Sequence, residues 1–205
     1  MTRLHADALR ALREWAPPTP AQERLRARYV ALLAARPDAL DRTCRPDHLT
    51  ASTLVLDASG ERVLLTLHAK AGRWFQLGGH LEPGDTTLAG GALREAVEES
   101  GIGVADLALD PVPLVLDAHA VPFCGTDGTT HHLDVMYAAT ARDGTAHAVS
   151  DESLDVAWWP VADLPDAELA PFVELALARR HAVAAQPSWS ASSSDGGGSS
   201  RAAAE

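Results

Sequence analysis

Cysteine is scarce in this chain of 205 residues: only Cys44 and Cys124 occur. Two isolated cysteines make neither a disulfide framework nor a zinc-ligand spacing, and a reduced interior is the simpler reading. Positive charge is also short. Seventeen Lys and Arg meet 28 Asp and Glu, for a net charge of -11 and a pI of about 5.2. That balance argues against binding to nucleic-acid polymers or to anionic lipid. It leaves small phosphorylated ligands open, because a metal ion can supply the missing positive charge. No apolar run approaches the roughly 18 residues of a membrane span, and the segment around Arg3 lacks an apolar stretch of signal-peptide length. A soluble, cytoplasmic protein without membrane partners is therefore expected.

What the chain does have is a hydrophobic fraction of 46%, enough for a real core. Its length suits one domain with an appendage. Residues 4–15 read as a short helix with Leu4, Leu9, Leu12 and Trp15 apolar, ended by Pro17 and Pro18. Thr19 then looks like an N-cap, with Pro20 at N1 and Gln22 as the N3 partner of a capping box. Leu25, Tyr29, Leu32 and Leu33 follow at helical spacing to about Ala35. From Leu49 the period changes to that of strands, over residues 49–56 and 62–67 with a turn at 57–60, and again near 114–116, 132–138 and 156–160. Residues 171–184 read as a closing helix. Strands flanking a central helix imply an α+β fold with a mixed sheet between helical layers. Residues 1–47 are expected to form a helical extension packed on a core domain of 48–186. The Ser/Gly-rich stretch 187–205 should be a disordered tail.

The chemistry concentrates in Gly79-His80-Leu81-Glu82-Pro83-Gly84-Asp85 and, further on, Leu93-Arg94-Glu95-Ala96-Val97-Glu98-Glu99-Ser100-Gly101-Ile102. Glu95, Glu98 and Glu99 stand at i, i+3 and i+4, on one face of a helix. They crowd like charges into the last turns before Gly101, where the macrodipole disfavours anions. A cation over that face would offset both costs, and hard oxygen ligands suit Mg²⁺ or Mn²⁺. Arg94 lies four residues before Glu98 and can pair with it.

These residues resemble the Nudix box, G-x5-E-x7-R-E-U-x-E-E-x-G-U, over residues 79–102. Arg94, Glu95, Ala96, Glu98, Glu99, Gly101 and Ile102 fit its second half. Gly79 fits its first, with Asp85 in place of the glutamate and one extra residue between Asp85 and Arg94. The resemblance implies an α/β/α sandwich, preceded here by the two N-terminal helices. It also implies a metal-dependent pyrophosphohydrolase acting on a nucleoside diphosphate linked to another moiety. It places Mg²⁺ or Mn²⁺ on Glu95, Glu98, Glu99 and the Gly78 carbonyl, with Arg94 as an orienting residue. A catalytically inactive, nucleotide-binding regulator of the same fold is the alternative, and a homodimer stays open.

Other acids and aromatics are candidates of lower specificity. Glu152, after Asp151 in a loop beyond the core strands, is the residue chosen as an additional base, beside Glu98 and Glu99. Asp85 could stabilise the start of the box helix. His131 and His132 invite a metal reading, but neighbours on a strand point to opposite faces, so a surface pair is expected. Trp158 and Trp159 read as packing groups, and Trp74 and Phe75 as better candidates for lining a pocket.

Overall fold

The computed structural model describes residues 1–69, 71–121, 124, 130–149 and 153–184. The expected tail at 187–205 and the candidate base Glu152 lie outside the described residues. Two helices lead, α1 (Arg3–Glu14) and α2 (Pro20–Ala35). They are followed by strands β1 (Asp47–Leu56), β2 (Arg62–His68), β3 (Arg73–Phe75) and β4 (Leu77–His80). Helix α3 (Leu88–Ser100) precedes β5 (Leu107–Leu109), β6 (Val115–Ala120), β7 (His131–Ala141) and β8 (Ser153–Pro160). Helix α4 (Ala170–Ala184) comes last.

The strands form one eight-stranded mixed sheet built around β1. One edge of β1 runs parallel to β7 along its whole length, from Asp47 opposite His131 to Leu56 opposite Thr140. The other edge is shared between two antiparallel partners, β4 at Thr50–Thr53 and β2 at Val55 and Leu56. A strand paired on both sides and covered on both faces must be almost entirely buried, and β1 is.

Side-chain alternation then assigns the layers. Leu49, Ala51, Leu133, Val135 and Tyr137 pack with Leu88 and Ala92 of α3 and with Leu4, Leu12, Tyr29 and Leu33 of the leading helices. Leu54, Leu56, Met136 and Ala138 face the other way, onto Leu169, Val173 and Ala176. A further cluster joins Val55, Leu64 and Leu77 to Ala96 and Ile102 at the far end of α3. This is the α+β sandwich that the sequence implies, with two helices ahead of it.

Local capping holds the leading helices in place. Thr19 Oγ1 accepts from the Gln22 N–H at 3.2 Å, which starts α2 as expected. The Gln22 side chain does not return to complete a capping box. Its amide nitrogen donates to the Leu116 carbonyl at 2.9 Å, and its oxygen accepts from the Leu116 N–H at 2.8 Å. Asp7 of α1 accepts from the Leu88 N–H at 2.9 Å, covering an orphan donor in the first turn of α3.

Candidate functional site

Helix α3 carries the acidic residues, and its ends fix their height against the sheet. Thr87 caps the N-terminus, accepting from the Gly90 N–H at 2.9 Å. Asp85 is therefore not the cap. Gly101 ends the helix at a φ of +66°, the left-handed conformation that favours glycine. Thr53 of β1 donates to the Ala92 carbonyl at 3.0 Å and ties the middle of the helix to the sheet.

Two adjacent glycines in β4 let helix and strand meet. A Cβ on Gly78 would lie 2.4 Å from Ser52 Cβ and 2.6 Å from its Cα. A Cβ on Gly79 would lie 2.7 Å from Glu95 Oε2 and 2.9 Å from its Cδ. Gly78 is required by the neighbouring strand, and Gly79 by the carboxylate of Glu95. The Gly78 N–H donates to Glu99 Oε2 at 2.9 Å, so the third carboxylate is also seated on this strand.

Arg94 connects the set. Its Nη1 lies 3.1 Å from Glu95 Oε1 and 2.7 Å from Glu98 Oε2. Its Nη2 donates to the His80 carbonyl at 2.9 Å, and Nε and Nη2 each reach a different oxygen of Asp85 at 3.1 Å. Burial works against its charge, but Asp85, Glu95 and Glu98 outweigh this and push its pKa upward. Asp85 also accepts from the Glu82 N–H at 2.8 Å, which folds the loop after β4 back onto itself. The expected Arg94–Glu98 pair is present. The Asp85–Arg94 pair was not foreseen, because the extra residue between the two obscured their relation.

Glu95, Glu98 and Glu99 line a groove of about 1540 Å³ together with Gly78, Gly79 and His80. Thr50, Ser52 and Asp134 add polar groups to its lining. Thr50 donates to Asp134 at 2.9 Å, and Ser52 donates to the other oxygen of the same carboxylate. Burial pushes the Asp134 pKa up against these two hydrogen bonds. His119, paired with Asp117 at 2.7 Å, has its pKa raised by that hydrogen bond.

The aromatic expectations divide. Phe75 lines the groove, whereas Trp74 packs edge-on against Trp159 with ring centroids 5.3 Å apart. Trp158 lies beneath the Arg62 guanidinium at 5.6 Å, a packing role as expected.

His131 and His132 do point apart. His131 Nδ1 meets Asp47 at 3.2 Å. His132 is not a surface group: its ring sits 4.9 Å from those of His48 and His80. Cys124 lies beside the same rings. Local spacing gives no sign of this, because the residues come from separate strands and a connection.

The family model of the NUDIX domain matches residues 46–179. No curated protein sequence matches the chain. Among solved structures it is similar to a NUDIX-family hydrolase from Clostridium perfringens, at 23% identity and a TM-score of 0.51, over 66% of this chain and 97% of that one. It is similar to an Ap4A hydrolase of C. elegans in a binary complex, at 18% identity and 0.53, over 65% and 98%. It also resembles the NUDIX domain of Shewanella oneidensis NrtR in complex with ADP ribose, at 22% identity and 0.51, over 73% and 97%. At such identities the three likenesses speak for the fold.

Proposed function

The chain belongs to the Nudix family of pyrophosphate hydrolases, and on that premise we propose that it cleaves the diphosphate linkage of a nucleoside diphosphate joined to a second moiety, with a divalent metal. One observation carries this reading. Glu95 lies against Gly79 and Glu99 against Gly78, Glu98 joins them in lining one groove, and Arg94 ties Glu95 and Glu98 to the loop after β4.

The donor set suits a hard cation. It offers carboxylate oxygens beside a strand whose Gly79 leaves no Cβ in the way. Glu95, Glu98, Glu99 and the Gly78 carbonyl would hold Mg²⁺ or Mn²⁺. When bound, such an ion neutralises pyrophosphate oxygens and lowers the pKa of a coordinated water. Arg94 fixes the rotamers of Glu95 and Glu98, so the carboxylates are oriented before substrate arrives. The proton of the attacking water passes to a carboxylate, Glu98 or Glu99 in this set or Glu152 beyond it. The groove exceeds the roughly 300–1,000 Å³ of a compact ligand pocket, which suits a substrate with a group on either side of its diphosphate. ADP ribose, seen in the Shewanella domain, is a compound of that kind.

The test is a panel of nucleoside diphosphate sugars, dinucleoside polyphosphates and nucleoside triphosphates, incubated with Mg²⁺ or Mn²⁺ and resolved by chromatography. Release of a nucleoside monophosphate supports the reading. Nucleotide binding without turnover on any member would support the non-catalytic regulator instead.

A further inference from the structure

In the part of the groove lined by His80 and His132, four side chains converge that the hydrolase reading does not use. His48 belongs to β1, His80 ends β4, His132 belongs to β7, and Cys124 lies between β6 and β7. Register explains the meeting. His48 pairs with His132 across the parallel β1–β7 ladder, and His80 pairs with Thr50 on the other edge of β1. The three imidazoles thus form a cross-strand triangle on neighbouring strands. One ligand atom from each of the four residues lies within 4.8 Å of every other.

We propose that His48, His80, His132 and Cys124 form a tetrahedral site for Zn²⁺, separate from the carboxylates of α3. Zinc bonds of about 2.0–2.1 Å to nitrogen and 2.3 Å to sulfur require, in a tetrahedron, about 3.3 Å between nitrogens and about 3.6 Å between nitrogen and sulfur. The His48 and His80 Nε2 atoms are 3.2 Å apart. Cys124 Sγ is 3.9 Å from the first and 3.8 Å from the second. Three of the four ligand atoms are thus within about 0.3 Å of the tetrahedral spacing, and the His132 atom lies within 4.8 Å of each of them.

The surroundings prepare the ligands. His48 Nδ1 lies 3.1 Å from the Cys44 carbonyl, which can only accept, so Nδ1 carries the proton and Nε2 presents its lone pair. His132 Nε2 is buried and has no hydrogen-bond partner among the described residues, an unmade bond that a metal would satisfy. A nitrogen and thiolate set selects zinc over the Mg²⁺ or Mn²⁺ suited to carboxylates. Four protein ligands close the shell, so the centre is structural and holds Cys124 against the sheet. Binding displaces the Cys124 thiol proton to solvent.

This site stands independently of the hydrolase reading, and the experiment reads it without turnover. The full chain is stripped with a chelator and titrated with Zn²⁺ against a chromophoric competitor, then with Co²⁺ under a spectrophotometer. One Zn²⁺ per chain should bind with a sub-micromolar Kd. Co²⁺ should give a thiolate-to-metal charge-transfer band and the intense visible bands of tetrahedral coordination. Cys124→Ser should abolish the charge-transfer band and weaken zinc binding at least tenfold, and His132→Ala should weaken it similarly. Cys44→Ala and the double variant Glu98→Gln/Glu99→Gln should keep the band. A Co²⁺ spectrum without a thiolate band, or zinc affinity unchanged in Cys124→Ser, overturns the proposal. Should His132→Ala fail to fold, Cys124→Ser, which exchanges one atom in a partly buried residue, still decides it.

Discussion

Asp85 and Arg94 clasp each other at the mouth of α3, each carboxylate oxygen taking one guanidinium N–H at 3.1 Å. The Asp85 side chain is only 6% exposed. Its partner holds Glu95 and Glu98, so the pair transmits loop position to the acidic face. Asp85→Ala should lower stability by about 2 kcal/mol, the scale of losing hydrogen bonds to a charged, largely buried partner. It should also cut kcat about tenfold through misplaced carboxylates. Urea unfolding and steady-state kinetics check the two effects. Lost stability with wild-type kcat would show that Arg94 orients the glutamates without Asp85.

Glu98→Gln and Glu99→Gln should each fold and each lose about 100-fold or more in kcat, the scale for a group that places a metal or a catalytic water. Relief of like charge near the helix C-terminus should leave the melting temperature of metal-free protein unchanged or slightly higher. Wild-type kcat in both variants would remove the mechanism.

Gly78→Ala and Gly79→Ala should fail in different ways. The new Cβ at Gly78 meets the backbone of Ser52, which cannot move, so a cost on the order of 3 kcal/mol or loss of soluble protein is expected. The new Cβ at Gly79 meets the far end of Glu95, which can swing away. That variant should fold but need several-fold more Mg²⁺ for half-maximal activity. Thermal melts and a metal titration separate the two.

Asp57 gives a pH signature away from the groove. Burial opposes its charge. The hydrogen bonds from Arg62, Ser59 and the Gly60 N–H more than offset this and set its pKa below 3.8. On acidification the unfolded chain takes up the proton first, so the stabilisation is full above about pH 4 and vanishes as pH falls through the folded-state pKa. Asp57→Asn should therefore be about 1–2 kcal/mol less stable than wild type at pH 7. The gap should close below pH 4 in denaturant melts. A pH-independent gap would assign the loss to packing.

Much of the acidic site was legible because it is local. Glu95, Glu98, Glu99 and Arg94 share one helix, so a spacing of three and four residues already states their geometry. The α2 start was legible for the same reason, at Thr19. The other half of that box was misread: Gln22 finds a strand better placed than its own backbone, and tertiary contact overrides local preference. The His48, His80, His132 and Cys124 cluster was invisible, because its spacing is set by strand register and not by sequence. The rule that neighbours on a strand diverge was right for His131 and His132. Divergence sent one of them to solvent and the other into the cluster.

The two hydrogen bonds between Gln22 and Leu116 have a consequence beyond anchoring α2. Among the described residues, strand β6 pairs with β7 alone. A strand edge left open is a template on which another chain can add itself. The Gln22 amide offers a donor and an acceptor with the spacing of a peptide group, and Leu116 accepts it as it would a neighbouring strand. One side chain thus impersonates a missing ninth strand at the point where β6 is most buried. Gln22→Ala should unmask that edge, and the variant should self-associate at concentrations where the native chain stays dispersed.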